Sequence, residues 1–201
     1  MPNKIKYLLK KKRKKKIVCL TAYSKNISKI LDKHCDIILV GDSLASVLYG
    51  MKNTHDISLN TIIKHSISVK KGIKKSLMVV DMPRGSYDSP LQAKKNARLI
   101  MKKTKCDAVK IESNNKNFEV IKAITKSKIP VMGHIGYTPQ FKNRFKVEGK
   151  NKKEIDKLIK EAISIEKAGA FSIVLECMTP NSAKIISNLL KIPTIGIGSS
   201  A

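Results

Sequence analysis

Short, unbroken apolar runs recur along the chain, and most are followed by longer stretches in which apolar residues return every three or four positions. Runs of four to six residues rich in Ile, Val and Leu, without polar alternation, read as strands buried on both faces, the pattern of a parallel sheet. The predicted strands are 17–21, a run ending at Asp42, a run ending at Asp81, a run ending at Glu112, 129–134, a run ending at Glu176, and 193–198. The predicted helices cover about 4–12, 24–33 with Ser24 as cap, 60–71, 90–103, 117–126, 152–168 and 181–190. The clearest is 152–168, where Ile155, Leu158, Ile159, Ala162, Ile163 and Ile165 share one face and Gly169 supplies the stop. Segment 136–149 shows no periodicity and reads as a long functional loop. Strand and helix alternate throughout, with no internal repeat and no linker, so an α/β fold built from a parallel sheet and crossover helices is expected. Seven strands predict a barrel one strand short, as a single catalytic domain over 1–201.

The ends of these runs carry the chemistry. Asp42, Asp81, Glu112, His134 and Glu176 each close a different apolar run at its C-terminal side. A charged group there has left the core and faces the loops, where α/β barrels and open sheets keep their active sites. Polar endings on five separate runs point to an enzyme. Side chains two apart in a strand share a face, so Lys110 joins Glu112 on the same side.

Composition changes this picture little. At 42% hydrophobic and 4% aromatic, without Trp, the chain has the makings of an ordinary core of Ile, Leu and Val. No apolar stretch reaches the roughly 20 residues of a membrane span, and the first residues lack the apolar segment of a secretory signal. Cys19, Cys35, Cys106 and Cys177 form no Cys-x-x-Cys pair and read as reduced core thiols of a cytoplasmic protein. A net charge of +26 suggests polyanion binding. Only four of the 41 basic residues are arginine, however, and lysine is spread over nearly every polar stretch instead of gathering on one face. No specific nucleic-acid partner and no membrane partner is expected. The densest block, Lys10 to Lys16, reads as a solvated helix end.

At the strand ends the chain resembles a known family. Gly41-Asp42-Ser43-Leu44, Asp81-Met82-Pro83 with Gly85-Ser86-Tyr87, Val109-Lys110-Ile111-Glu112 and Pro130 to Gly136 are similar to ketopantoate hydroxymethyltransferase (3-methyl-2-oxobutanoate hydroxymethyltransferase). So are Lys146 to Lys150, Leu175-Glu176-Cys177 and Ile192 to Gly198, in order along the chain. The resemblance implies a (βα)8 TIM-type barrel, here truncated after the seventh strand. It implies an enzyme of pantothenate and coenzyme A biosynthesis that moves a hydroxymethyl group from 5,10-methylenetetrahydrofolate to 3-methyl-2-oxobutanoate, giving 2-dehydropantoate. It further implies Mg²⁺ and a homo-oligomer, by family resemblance a decamer.

The chemistry asks for the same residue types. Proton loss beside a ketone leaves charge on the carbonyl oxygen, which a divalent cation stabilises as a Lewis acid. A hard cation wants oxygen ligands, which Asp42, Asp81 and Glu112 provide from three strand ends. The resemblance assigns these three to the metal, directly or through water, with Asp42 and Asp81 also at the substrate. Glu176 is the candidate general base or acid, its apolar strand expected to desolvate it. Lys110 would hold a substrate oxygen as a point charge, Ser43 would hydrogen-bond the keto acid, and His134 is either a site hydrogen-bonder or a satisfied core histidine. His34, His55 and His65 carry no comparable signal. Departures from the family include Ser24, Ala45, Arg84, Tyr137 and Ser199-Ser200; Arg84 and Ser199-Ser200 bear on the substrate and folate pockets. Two other readings remain: an inactive remnant or basic polyanion-binding protein on the same scaffold, and another metal-dependent keto-acid lyase of similar barrel type.

Overall fold

The structure is a computed structural model that describes residues 3–114 and 117–199. Its elements follow in the order α1 (Asn3–Lys11), β1 (Cys19–Thr21), α2 (Lys25–Leu31), β2 (Ile37–Val40), α3 (Leu44–Tyr49), α4 (Leu59–Lys70), β3 (Leu77–Asp81) and α5 (Pro90–Thr104). They continue with β4 (Ala108–Glu112), α6 (Phe118–Lys126), β5 (Val131–Gly136), α7 (Lys152–Lys167), β6 (Ser172–Glu176), α8 (Pro180–Leu189) and β7 (Thr194–Ile197). All seven strands pair in parallel, in sequence order β1 to β7, as unbroken strand–helix alternation requires.

Period two splits strands β2 to β6 between two cores. Ile38, Val40, Met78, Val80, Val109, Ile111, Val131, Ile135, Ile173 and Leu175 face outward into the layer shared with the helices. Ile37, Leu77, Val79, Ala108, Met132 and Val174 face the other way and meet one another in a second core, so the sheet curls around its own interior. Ile5 and Leu8 of α1 complete that second core at the N-terminal end of the strands. The lysines of α1 fix this plug: Lys4 Nζ donates to Ser76 O at 2.8 Å, and Lys11 pairs with Asp36.

Helix starts follow their caps. Ser58, Ser89, Asn151 and Thr179 each accept a backbone N–H from the first turn of α4, α5, α7 and α8. Ser24 precedes α2 in an extended conformation but makes no capping bond, and that helix stops at Leu31, short of the expected 33. Helix α3 falls in a stretch for which no helix is expected, because six residues are too few to display a period. It ends at Gly50, in the left-handed conformation.

Strand β5 runs two residues past His134, to Gly136. There φ is +93°, and a Cβ would lie 2.1 Å from the Glu176 carbonyl oxygen. Only glycine permits that approach, which lets Tyr137 N donate to the same oxygen at 2.8 Å and sends the 137–149 loop across the strand ends. No helix among the described residues is long and apolar enough to cross a membrane.

Candidate active site

Following the inward-facing positions toward the C-terminal ends of the strands, the residues turn from apolar to charged. After Leu77 and Val79 comes Asp81, after Ala108 come Lys110 and Glu112, after Met132 comes His134, and after Val174 comes Glu176. Strand register makes neighbours of them: Asp81 pairs with Lys110, Glu112 with His134, and Gly136 with Glu176. The sequence-predicted residues therefore converge on one end of the interior.

Lys110 Nζ donates to Asp81 Oδ1 at 2.7 Å, and Asp42 N donates to Asp81 Oδ2 at 3.0 Å. Asp42, Asp81, Glu112, Lys110 and His134 are all buried. Burial, followed by repulsion from Asp81 and Glu112, pushes the Asp42 carboxyl up to about 7 despite the nearby Lys110. Burial works against the Lys110 cation, but Asp81, Glu112 and Asp42 outweigh it and raise the lysine. Glu112 shows the opposite balance: burial opposes its charge, and His134, Lys110 and the Gln140 N–H together lower it.

His134 lies between two carboxylates, with Nδ1 3.6 Å from Glu112 Oε1 and Nε2 3.1 Å from Glu176 Oε2. Neither contact is aligned as a hydrogen bond. Burial and Lys110 disfavour the imidazolium, yet the two glutamates prevail and raise the ring. Glu176 is less desolvated than its apolar strand leads one to expect: its side chain keeps 24% of its surface exposed, at the rim where substrate would enter. Cys177, the next residue, has φ of +49°, a left-handed conformation that costs a non-glycine residue about 1–2 kcal/mol. Ser43 precedes α3, and its hydroxyl shares a 2.8 Å hydrogen bond with Tyr23.

Several residues of the site carried no signal in the pattern of the chain. Gln140, from the aperiodic loop, is buried at its centre. Its backbone N donates to Glu112 Oε2 at 2.9 Å, and its side-chain Nε2 donates to Asp42 Oδ2 at 2.7 Å and to Met82 O at 3.1 Å. The Tyr87 hydroxyl donates to Gln140 Oε1. Two of the three histidines without a comparable sequence signal, His55 and His65, the latter in α4, support this end of the fold. His55 Nε2 donates to Pro139 O at 2.9 Å, holding the loop just before Gln140, and His65 Nδ1 donates to Tyr23 O at 2.8 Å.

The ketopantoate hydroxymethyltransferase family model matches residues 3–201. The chain belongs to this family. It is 52% identical over 200 residues to the 3-methyl-2-oxobutanoate hydroxymethyltransferase of Pelagibacter ubique, covering 100% of this chain and 78% of that protein. It is 46% identical over 195 residues to 3-methyl-2-oxobutanoate hydroxymethyltransferase 2 of Zymomonas mobilis, covering 95% and 71%. Among solved structures, a 2,3-dimethylmalate lyase of the PEP mutase/isocitrate lyase superfamily superposes with a TM-score of 0.67 at 13% identity, over 96% of this chain and 72% of that one. A phosphonopyruvate hydrolase solved with oxalate and Mg²⁺ gives 0.68 at 11% identity, over 98% and 81%. At such identities these two speak for the fold alone, a TIM-type barrel, and not for a ligand.

The donor set at Asp42, Asp81 and Glu112 suits a hard cation, being all carboxylate oxygen. Three buried carboxylates face the Lys110 cation, which is bonded to Asp81. Among the described residues no group of three His, Cys, Asp or Glu side chains is spaced to hold a metal ion by itself. Lys110 takes one oxygen of Asp81, and Gln140 spans Asp42 and Glu112. An open arrangement of few protein ligands is what Mg²⁺ uses when water and substrate oxygens fill its remaining positions.

Proposed function

We propose that this chain transfers a hydroxymethyl group from 5,10-methylenetetrahydrofolate to 3-methyl-2-oxobutanoate, giving 2-dehydropantoate and tetrahydrofolate, as a cytoplasmic, homo-oligomeric enzyme of pantothenate biosynthesis. The observation that carries this reading is the buried cluster of Asp42, Asp81, Glu112 and Lys110, with Glu176 on its rim beside His134. A site that removes a proton next to a ketone needs negative-charge stabilisation at the oxygen and a base at the neighbouring carbon; the two halves lie at one end of the barrel.

Asp42, Asp81 and Glu112 would hold Mg²⁺, directly or through water. When bound, the cation would polarise the ketone and offset charge developing on its oxygen. Lys110, held in place by Asp81, keeps further N–H donors for a substrate carboxylate or enolate oxygen. Ser43, anchored by Tyr23, offers a hydroxyl to the keto acid. Glu176 takes the C3 proton, and the electrons of that bond delocalise onto the carbonyl oxygen. His134 Nε2 stands 3.1 Å from the Glu176 carboxylate, beside the proposed base. A carbon–carbon bond then forms between C3 and the folate-borne one-carbon unit as one of its carbon–nitrogen bonds breaks. Water displaces the second folate nitrogen and supplies the hydroxyl oxygen, and the protons released by C3 and water end on the nitrogens of the departing tetrahydrofolate.

Calorimetric titration tests the assignment of the acidic cluster. The keto acid should bind in the presence of Mg²⁺ and not in its absence, and Asp81→Ala should abolish binding without unfolding the chain. Equal binding with and without Mg²⁺, or unchanged binding by Asp81→Ala, would contradict it.

A further inference from the structure

Among the described residues, Gln140 is the uncharged residue that hydrogen-bonds two of the three carboxylates. It makes those contacts through different parts of the same residue, with the backbone N–H on Glu112 and the side-chain amide on Asp42. The two acids come from different strand ends and have no bond to each other, so the residue sets their spacing. Its own amide has a defined face. Asp42 Oδ2 and Met82 O both accept from Nε2, and the only arrangement that satisfies both places Oε1 toward Tyr87, whose hydroxyl donates to it. With that donor removed, Oε1 would be left without its partner in a buried setting, and a rotated amide would turn an oxygen toward the Asp42 carboxylate. Tyr87 is buried and packs edge-on against Phe141, the residue after Gln140, at 6.3 Å between ring centroids.

We propose that Gln140 is a positioning residue for the metal-binding carboxylates, and that Tyr87 acts through it by fixing the orientation of its amide. The proposal rests on the reading that Asp42, Asp81 and Glu112 bind the divalent cation. Such groups donate hydrogen bonds to a ligand oxygen, leave its remaining lone pairs aimed at the ion, and add no charge that would compete with it. Outer partners of metal ligands typically contribute about 10- to 100-fold in affinity. The contribution of Gln140 is made from a loop, so the ordering of 137–149 and the geometry of the site are linked. His55 on Pro139 and Lys142 on Glu148 and the Gly136 carbonyl hold that loop on either side of Gln140.

Mn²⁺ binding measured by electron paramagnetic resonance on the whole chain tests this without reference to turnover. Gln140→Met keeps the length of the side chain and removes its amide hydrogen bonds to Asp42, Met82 and Tyr87, leaving the backbone N–H on Glu112. Tyr87→Phe removes a single oxygen and is the safer variant for folding. Gln140→Met is expected to weaken Mn²⁺ about 10- to 100-fold and Tyr87→Phe by a smaller factor. The double variant should bind no more weakly than Gln140→Met, because Tyr87 has nothing left to orient. Turnover lost in either variant should return at saturating Mg²⁺, which a fold-only defect would not do. Asp81→Ala separates the two levels of the argument. If it binds Mn²⁺ as well as the parent, the metal assignment fails and this proposal with it. If it loses Mn²⁺ while Gln140→Met and Tyr87→Phe keep parental affinity, the metal assignment stands and the positioning role is overturned. Fully additive losses in the double variant would remove Tyr87 from the account.

Discussion

Asp42 pays most for its position in the site. Its backbone N–H and one carboxylate oxygen have partners, yet burial and two neighbouring acids lift it from 3.8 to about 7. A folded-state value above the unfolded one means that folding favours the protonated form. Stability from this group is fully present below about pH 4 and is lost as pH rises through 7. Asp42→Asn should therefore stabilise the metal-free protein at pH 8 by about 1–3 kcal/mol, and the gain should shrink toward zero near pH 4. Urea unfolding at the two pH values measures it; a variant less stable than the parent at pH 8 would contradict the burial argument. The same substitution removes a proposed ligand, so it should weaken divalent-cation binding while it strengthens the apo fold, a trade expected where function maintains strain.

The elements explain which parts of the site the sequence disclosed. Asp81, Lys110, Glu112, His134 and Glu176 were legible because a buried strand has a strict period of two, and a charge at the end of its inward-facing row must lie at the barrel mouth. Gln140 was not, since loop 137–149 obeys no period and its only sign was the lack of one. Helix α3 escaped notice for a related reason: with only Leu44 and Ala45 buried, its apolar face is under one turn long. Helix α1 illustrates the reverse case, where a segment recognised by pattern has an unforeseen task. Its Ile5 and Leu8 close the interior core, so Leu8→Ala should cost about 2–5 kcal/mol in chemical denaturation, far more than a solvated leading helix would. A loss under 0.5 kcal/mol would show that the plug is dispensable. At the end of α5, Lys105 is exposed and left-handed, with φ of +55°. Lys105→Gly should raise stability by about 0.5–1 kcal/mol, visible as a small increase in Tm.

At the scale of the whole molecule, charge and architecture meet between β1 and β7. The two strands flank a cavity of about 1040 Å³ that reaches Cys19 and Leu175 and is bordered by Lys12 to Lys16. The basic block is thus not simply solvated: Lys12 Nζ donates to Ser187 O at 2.8 Å and Arg13 to Asn188 O, tying the segment after α1 to α8. Elsewhere lysine covers the surface without a built recognition site, and a net charge of +26 should produce retention on heparin that falls steeply with salt. That retention should be indifferent to 3-methyl-2-oxobutanoate and to Asp81→Ala; competition by the keto acid would mean that polyanion and substrate share a site. The proposed function instead rests on the small set of charges at the strand ends, where one carboxylate, Glu176, remains partly open to solvent. Proton exchange at C3 of 3-methyl-2-oxobutanoate in D₂O, followed by NMR with and without Mg²⁺, tests that claim most directly because it requires no folate. The account predicts exchange that depends on Mg²⁺ and disappears in Glu176→Gln. Folded protein that produces no exchange, or exchange unaffected by Glu176→Gln, would contradict it.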